Sequence, residues 1–264
     1  MFLKFYGITK DPETAEFMMV LKYAEDGNLR SYFKKNFLNL QWVEKLRILY
    51  NIVDDLNNIH ELKFIHKDLH SGNILQDVVS YIADFGLSQS IYNTSSSTST
   101  NVCGVLPYIA PEILEKKPYT FASDVYSFGI IMVEISTRKS PYGNVPHDEK
   151  LALAICNGLR PRVAKGTPKC YIDLVNQCLD ANPQNRPSAE ELFNIICNWL
   201  DSLRIDKESE IAKEFLNADK IGPQQSSETT LHPQATFTSR FLSYTNLSKP
   251  INSTRVQVED PEGK

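Results

Sequence analysis

One stretch in the middle of the chain, residues 123–133, constrains the fold more than any other. It reads SDVYSFGIIMV and, wound as a helix, is apolar on nearly every side. Such a helix is typical of the centre of a domain, where neighbouring elements cover all of its faces. The carboxylate of Asp124 near its start needs partners, because an unpaired buried charge is costly. Either the free amides of the helix start supply them, or another segment of the chain does.

A second helix is predicted over residues 41–60. Apolar residues recur there at steps of three and four, which indicates a helix with one face on the core. The apolar face of this helix consists of Trp42, Leu46, Leu49, Val53 and Leu56.

A third helix follows the turn at residues 182–187. Ser188 and Glu191 have the spacing of a capping box, which marks a helix start. We expect the folded domain to end near Leu203, because the composition then turns polar. The apolar face of this helix consists of Leu192, Ile195, Ile196, Trp199, Leu200 and Leu203.

The N-terminal part of the chain has the patterns of strands. Residues 1–9 are strand-like, and residues 10–12 form a turn. The short apolar run at residues 17–21 is bounded by polar residues and predicts a buried strand. Residues 22–29 carry turn chemistry and form a connector. With the helices that follow, these patterns predict an α+β fold that is mainly α.

Composition and charge exclude several classes of protein. A formal net charge of -4 gives no indication of nucleic-acid binding. The 5 cysteines lack metal-ligand spacing, and their odd number fits a reducing compartment rather than a disulfide framework. The sequence has neither an apolar run of membrane-spanning length nor the features of a signal peptide. We therefore expect a cytoplasmic chain without a membrane span.

Three short motifs precede the central helix. Asp68 lies in the loop at residues 64–75, with Asn73 five positions later. Asp84 belongs to an Ala-Asp-Phe-Gly run, and Glu112 ends an Ala-Pro-Glu triplet. Each motif alone is weak, whereas their order and spacing together are specific.

In that order the motifs resemble the H-R-D-L-x-x-x-N, D-F-G and A-P-E signatures of protein kinases. The chain thus resembles the protein kinase family, in its tyrosine-kinase-like or mixed-specificity part, over residues 1–203. The resemblance implies a protein-kinase-like C-terminal lobe with only the last strands of the small lobe. Residues 1–24 would be the remnant of the small lobe and the hinge, residues 25–203 the large lobe, and residues 204–264 a disordered Ser/Thr-rich tail.

The resemblance also implies ATP and Mg2+ as cofactors, a protein substrate, and a role in signalling. It assigns catalytic roles to His66, Asp68 and Asn73. Asp68 would orient the substrate hydroxyl and accept its proton. Asn73 and Asp84 would be the magnesium ligands, because Mg2+ prefers hard oxygen donors. The nucleotide site would consist of Leu21 as gatekeeper, the backbone of Lys22 and Ala24, Leu75 as the floor, and Ala83.

Five residues receive supporting roles from the resemblance. Phe85 and Gly86 complete the motif of Asp84. Asp124 would brace the backbone of the catalytic loop, which would give the buried carboxylate its partners. Arg186 would pair with Glu112 through a two-pronged contact, the strong form of an arginine–carboxylate pair.

Residues 93–101 are rich in Ser, Thr and Asn and too polar to pack, so we expect a flexible surface loop. In the family this is the activation segment, where a phosphate could order the loop by meeting a cation. Lys67 stands where the family usually has an arginine for that purpose. Lysine lacks the planar fork of arginine, so the coupling would be weaker.

The residues around the substrate position favour serine and threonine over tyrosine. His70 stands where serine/threonine kinases usually have a lysine, and Val105 stands where they usually have a threonine. Tyr108 fits the serine/threonine pattern, and nothing matches the corresponding tyrosine-kinase residues. We therefore expect transfer to Ser/Thr, with Tyr as the less favoured acceptor.

Three family elements are not found in the sequence: a Gly-rich loop, a V-A-x-K lysine, and the helix that carries the glutamate partner of that lysine. Two readings follow. Retained Asp68, Asn73 and Asp84 favour a kinase, of which this chain would be a truncated copy with uncertain activity of its own. The missing phosphate clamp favours a non-catalytic, kinase-like interaction module. A metal-dependent phosphohydrolase is a poor third, because it leaves Glu112 and Arg186 unexplained.

An apolar cluster interrupts the polar tail. It either docks a partner or has no specific role. Its members are Phe237, Phe241, Leu242 and Tyr244.

Overall fold

The computed structural model describes residues 3–35, 40–92, 102–221, 230–244 and 247–252. The strands are β1 (Phe5–Lys10), β2 (Phe17–Leu21), β3 (Gly27–Asn28), β4 (Phe64–Ile65), β5 (Ile74–Gln76), β6 (Ser80–Ile82), β7 (Gln89–Ser90), β8 (Val102–Gly104) and β9 (Arg240–Leu242). The helices are α1 (Leu29–Lys35), α2 (Trp42–Glu61), α3 (Pro111–Leu114), α4 (Phe121–Thr137), α5 (Glu149–Cys156), α6 (Lys169–Cys178), α7 (Ala189–Ile205) and α8 (Glu210–Ile221). The fold is α+β and mostly helical, as predicted.

The central helix predicted from the sequence is α4. Every residue from Ser123 to Thr137 is buried, and α4 packs against α2, α6 and the short 3-10 turn Leu106–Tyr108. The helix begins after Thr120, whose backbone N–H donates to Ser123 Oγ at 3.1 Å. It ends at Arg138, which has a left-handed backbone with φ 57°. The prediction of a buried helix is confirmed.

Helices α2 and α7 pack against each other along their lengths. Glu44 closes the start of α2 by accepting from the backbone of Gln41 at 2.8 Å. The predicted capping box of α7 is present, since Ser188 N–H donates to Glu191 at 2.7 Å and Glu191 N–H donates to Ser188 Oγ at 3.1 Å. Both helices therefore begin where the sequence indicates.

The expected end of the folded part near Leu203 differs from the structure. Helix α8 follows and packs against α2, α6 and α7. Its Phe215 joins an aromatic cluster, with ring centroids 5.6 Å from Trp42 and 5.4 Å from Trp199. Asp219 accepts from the backbone N–H of Trp42 at 2.9 Å. Helix α8 thus completes the core around the start of α2.

The disorder expected from Arg204 onward also differs from the structure beyond α8. Strand β9 pairs antiparallel with β8 in the register Val102↔Leu242, Cys103↔Phe241 and Gly104↔Arg240. Leu242 is 5% exposed and belongs to the hydrophobic core. A few apolar side chains that find preformed pockets are enough to order such a polar segment.

Small sheets position the loops between the helices. Strands β3, β5 and β6 form one sheet, and β4 pairs with β7. Strands β4 and β5 enclose the loop that carries Asp68. Strands β6 and β7 enclose the loop that carries Asp84. The two motif loops therefore lie close together, because the strands that precede and follow them are paired.

Strands β1 and β2 form an antiparallel hairpin at the N-terminal side. The prediction of a strand at residues 17–21 is confirmed, but the prediction that it is buried is wrong for the described structure. All side chains of β2 are exposed, including Phe17 at 76% and Met19 at 72%. Apolar residues point to both faces of this hairpin, so burial would need cover on both faces. Met1, which we placed in the first strand, lies outside the described residues.

Among the residues that the structure describes, no helix combines the length and the apolar character that crossing a membrane requires.

Candidate active site

Asp124 holds the loop that precedes Asp68. Its Oδ2 accepts from the backbone N–H of His66 at 2.8 Å, and its Oδ1 accepts from that of Lys67 at 3.0 Å. His60 Nε2 lies 3.0 Å from Asp124 Oδ2. Lys67 has a positive φ of 71°, a conformation that L-residues rarely adopt without support. The buried carboxylate of α4 therefore finds its partners in another segment and fixes the turn into the loop.

Asp68 is 6% exposed. Asn73 Nδ2 donates to the Asp68 carbonyl at 3.0 Å and to its Oδ2 at 3.3 Å. Burial acts to raise the pKa of Asp68, but the contacts with His70 and Ser239 outweigh it and leave the pKa below its ordinary value. Asp68 is therefore an ionised carboxylate at neutral pH. Its Oδ1 is buried without a hydrogen-bond partner among the described residues.

His66 is fully buried between the two motif loops. Its Nε2 lies 3.2 Å from the Ala83 carbonyl, and its Nδ1 accepts from the backbone N–H of Asp68 at 3.3 Å. Burial lowers the pKa of His66, against the opposing effects of Asp124 and of the hydrogen bond to Ala83. A neutral imidazole that donates at Nε2 and accepts at Nδ1 fits these contacts. The ring of Phe85 lies 5.3 Å away, so His66 joins both loops.

Asn73 and Asp84 are the candidate magnesium ligands. The backbone N–H of Ala83 donates to the Asn73 carbonyl at 2.9 Å, which ties the two loops together. Asp84 has φ 63°, and its Oδ1 accepts from Gly86 N–H at 3.2 Å. The side-chain amide of Asn73 donates to Asp68, and its oxygen can therefore bind a cation. The side chain of Asp84 is exposed. Two hard oxygen donors fit Mg2+, which takes its other ligands from phosphate and water.

The residues of the predicted nucleotide site come from the end of β2 and the connector after it, from β5, and from the position after β6. Leu21 ends β2 and is 45% exposed, whereas Ala24 is buried and Leu75 is half-buried. The backbone N–H of Lys22 donates to the Lys4 carbonyl at 2.8 Å. Lys22 can therefore offer its carbonyl, but not its N–H, to a ligand.

Arg186 and Glu112 form the predicted two-pronged pair. Arg186 Nη1 and Nη2 donate to Glu112 Oε1 and Oε2, each at 2.7 Å. Arg186 Nε also donates to the Asp180 carbonyl at 2.9 Å, and Nη1 to that of Ala122 at 2.8 Å. Both side chains are almost fully buried. The pair joins α3 to the start of α4 and to the turn before α7.

Lys67 Nζ donates to Gln89 at 3.2 Å and lies 4.8 Å from the ring centroid of Tyr119. Its ammonium group therefore already has partners from two other segments of the described structure. The loop predicted at residues 93–101 and its phosphorylation lie outside the described residues.

A polar cluster near the Asp68 loop was not predicted from the sequence. Tyr108 OH donates to Glu134 at 2.5 Å and lies 3.1 Å from Ser71 Oγ. Arg30 Nε lies 3.9 Å from Glu134. Burial raises the pKa of Glu134, and Arg30 and the hydrogen bond from Tyr108 oppose that rise. The available signal was one glutamate inside the apolar sequence of α4.

The contact of Ser239 with this site was not predicted from the sequence either. Ser239 Oγ donates to Asp68 Oδ2 at 2.5 Å and lies 3.2 Å from His70 Nε2. The polar composition of the segment around it predicts disorder instead. The signal that could have revealed it is the pair of aromatic residues that flank it, Phe237 and Phe241.

Comparison with known proteins agrees with these features. A family profile described as "Protein tyrosine and serine/threonine kinase" matches residues 1–196. A probable serine/threonine-protein kinase of Dictyostelium discoideum is 31% identical over 202 residues, which are 74% of this chain and 12% of that protein. The probable serine/threonine-protein kinase drkA of the same organism is 34% identical over 174 residues, 64% of this chain and 27% of that protein. Its probable serine/threonine-protein kinase drkB is 32% identical over 179 residues, 66% of this chain and 26% of that protein.

The chain spans only a minor part of the length of these curated relatives. The profile nevertheless covers most of the chain, including the loops of Asp68 and Asp84 and the Glu112–Arg186 pair. The chain therefore belongs to the protein tyrosine and serine/threonine kinase family.

Proposed function

We propose that the chain carries the catalytic lobe of a protein kinase that transfers the γ-phosphate of ATP to Ser/Thr hydroxyls of proteins, and to Tyr less readily. The observation that carries this proposal is the hydrogen bond from a serine hydroxyl, that of Ser239, to the buried carboxylate of Asp68. An ionised carboxylate that accepts from an alcohol is the arrangement needed to orient the alcohol and take its proton. The relatives named as serine/threonine kinases support the same acceptor class.

In this proposal the residues of the site act mainly by orienting the reacting groups or by holding the loop that does so. Asp68 directs the substrate oxygen toward the γ-phosphorus and accepts its proton as the new bond forms. Asn73 restrains Asp68 through two hydrogen bonds. His66 and Asp124 fix the loop backbone and make no contact with the reacting atoms. Most of the rate gain then comes from preorganisation rather than from covalent chemistry of the protein.

Asn73 and Asp84 would hold Mg2+, and the carbonyl of Lys22, the backbone of Ala24, and Leu75 and Ala83 would meet the adenine. When bound, Mg2+ neutralises charge on the phosphates and so eases the departure of ADP. The chain's own contribution is to keep Asn73 and Asp84 on two loops that a backbone hydrogen bond links.

A nucleotide experiment tests this proposal. We expect weak, magnesium-dependent ATP binding, because the sequence has no Gly-rich loop or V-A-x-K lysine. Asp84→Asn should abolish the dependence on magnesium and leave the fold intact. Transfer to an added serine peptide should be slow and should disappear in Asp68→Asn, which keeps the size of the side chain but cannot take the proton. Transfer that survives Asp68→Asn would falsify the role given to Asp68.

The second candidate is a non-catalytic, kinase-like interaction module. The exposed β1–β2 hairpin favours it, since both faces of that sheet are open in the described structure. A chain of this class would bind no ATP at any magnesium concentration. It would also give no phosphopeptide when its N-terminus is extended by kinase small-lobe strands that carry a Gly-rich loop and a V-A-x-K lysine.

A further inference from the structure

Residues 230–244, hereafter the C-terminal segment, lie across the opening in which Asp68 is found. One end is fixed by strand pairing, because β9 pairs antiparallel with β8. Gly104, the last residue of β8, has φ +143°, and a Cβ there would lie 3.3 Å from Asp68 Oδ1. The glycine lets β8 pass close to the carboxylate. Strand β9 is thereby brought to the same place.

Residues on both sides of Ser239 also contact other parts of the lobe. Arg30 Nη1 donates to the Phe237 carbonyl at 3.0 Å, and the guanidinium lies 4.8 Å from the centroid of the Phe237 ring. The His147 and Phe237 rings lie nearly perpendicular with centroids 4.8 Å apart, and Arg240 Nη2 donates to the His147 carbonyl at 2.7 Å. Contacts on both sides of Ser239 thus fix its position along the opening.

The polarity of the hydrogen bonds makes Ser239 a donor to Asp68. His70 Nδ1 accepts from the backbone N–H of Gly72 at 3.0 Å, so the proton of a neutral His70 is on Nε2. That Nε2–H points to Ser239 Oγ at 3.2 Å. The serine oxygen then accepts from His70 and donates its own hydrogen to Asp68 Oδ2. This is the polarity required of an alcohol about to lose its proton to a base.

We propose that the C-terminal segment is a tethered substrate of this site and that Ser239 is its phosphoacceptor. The inference rests on the function proposed above and names a substrate for it. Ser239 Oγ bonds to the γ-phosphorus of ATP, the bond from that phosphorus to the β-phosphate oxygen breaks, and ADP leaves. The hydroxyl proton passes to Asp68. The products are ADP and phosphoserine at position 239.

Two features distinguish a tethered substrate from a segment that merely blocks the site. Strand pairing with β8 and the contacts of Phe237 need no hydroxyl, so an alanine at position 239 would dock equally well. Ser239 is also an exposed residue despite its bond to Asp68, so a second reactant can approach it from the solvent side. A phosphate at position 239 would add negative charge beside Asp68 and favour release of the segment.

The first test asks whether the C-terminal segment docks in solution, and it needs no activity. Cys103 and Phe241 are directly opposite in the β8–β9 pair, where Cα atoms lie within disulfide range. Phe241→Cys in the full chain should form an intramolecular disulfide with Cys103 under mild oxidation. The control adds Cys103→Ser and should abolish that bond in a peptide map. A Phe241→Cys chain that forms no bond to Cys103 overturns the proposal.

The second test follows phosphate by mass spectrometry after incubation of the full chain with ATP and Mg2+. One turnover per molecule is sufficient, so even a slow site reveals an intramolecular transfer. We expect phosphate at position 239, formed at a rate constant that dilution does not change, because the tether fixes the effective concentration. Ser239→Ala should lose this phosphate. The matched control Thr238→Ala removes the adjacent hydroxyl and should retain it.

An added serine peptide separates failure of this proposal from failure of the proposed function. Phosphate on the added peptide without phosphate at position 239 overturns the tethered substrate and leaves the kinase function standing. Phosphate on neither overturns both. A rate at position 239 that falls in proportion to chain concentration also overturns the proposal, because the acceptor would then come from another copy.

Discussion

At the scale of single residues, Lys45 of α2 is an unusual occupant of the core. It is 8% exposed, and its ammonium group lies 4.3 Å from the ring centroid of Trp42. Burial lowers the pKa of Lys45 to about 8, the charge of Arg138 adds to this, and Asp219 opposes it. An unfolded lysine titrates near about 10.4. The unfolded chain therefore binds more protons between these values, and the free energy of unfolding rises with pH in that window.

We expect Lys45→Met to raise the free energy of unfolding at pH 7 by about 1–3 kcal/mol, because it removes the cost of burying a charge and loses only the contact with Trp42. The advantage should shrink as the pH rises from about 8 to about 10, where Lys45 loses its proton in the folded chain. Urea unfolding at several pH values measures this. Exposed Lys150 is the control, since Lys150→Met should change the free energy by less than about 0.5 kcal/mol at each pH. A constant difference for Lys45→Met would contradict the expectation.

His70 is the residue of the site that departs furthest from the family pattern. Its Nε2 lies 3.7 Å from Asp68 Oδ2 and 3.2 Å from Ser239 Oγ, so it faces the acceptor oxygen. We expect His70→Lys to raise turnover on a serine peptide by up to about tenfold, which corresponds to about 1.4 kcal/mol of barrier. A lysine places a full positive charge beside the transferring phosphate. His70→Asn can still accept from Gly72 N–H but adds no charge, and it should bring no gain in initial rate.

At the scale of elements, the Glu112–Arg186 pair holds α3 against the start of α4. We expect Arg186→Lys to lower the free energy of unfolding by about 2–4 kcal/mol, since a lysine cannot reproduce both prongs and leaves Glu112 partly unpaired in the interior. Thermal and urea unfolding measure the loss. Arg204→Lys is the matched control, because Arg204 is exposed near the end of α7, and it should change the free energy by less than about 0.5 kcal/mol. Equal effects of the two substitutions would contradict this account.

Elements with many apolar residues at a regular period could be predicted from the sequence, and elements with few could not. Helices α2, α4 and α7 carry long stripes, and their starts follow from residues such as Ser188 and Glu191. Helix α8 buries only Ala212, Phe215 and Ala218. Its sequence is otherwise mostly polar and charged, so no apolar pattern predicted a packed helix there. Strand β9 is three residues long and gains its order from β8, a partner far away in the sequence.

The same contrast holds for the site. Asp68, Asn73 and Asp84 could be found because their motifs are local, with fixed spacing along the chain. The contact between Ser239 and Asp68 depends on tertiary structure, and no local sequence pattern predicts it. Glu134 was missed for a similar reason, since its partners Arg30 and Tyr108 come from separate elements.

At the scale of the whole molecule, the β1–β2 hairpin is the most exposed apolar region of the described structure. Ile8, Phe17 and Met19 are 65%, 76% and 72% exposed. Apolar surface of this kind promotes self-association. We expect Met19→Lys to shift the chain toward monomer in sedimentation or light scattering, with a change in free energy of unfolding below about 0.5 kcal/mol.

Val78 provides the control for that substitution. It is 89% exposed but lies alone in the turn between β5 and β6. Val78→Lys adds the same charge without altering the apolar region of the hairpin. Association that responds equally to the two substitutions would point to net charge rather than to the hairpin.

The hydrogen bond between Ser239 and Asp68 joins positions 171 residues apart. This separation matters while the protein is being synthesised. The ribosome adds about 5–20 residues each second, and domains fold as they emerge. Helices α4 to α8 are therefore made before the C-terminal segment, and the lobe exists briefly with Asp68 uncovered. Until the C-terminal segment has been made, a hydroxyl of another protein meets no internal competitor at Asp68. The order of synthesis thus gives each molecule a period in which Asp68 is open before the C-terminal segment can dock.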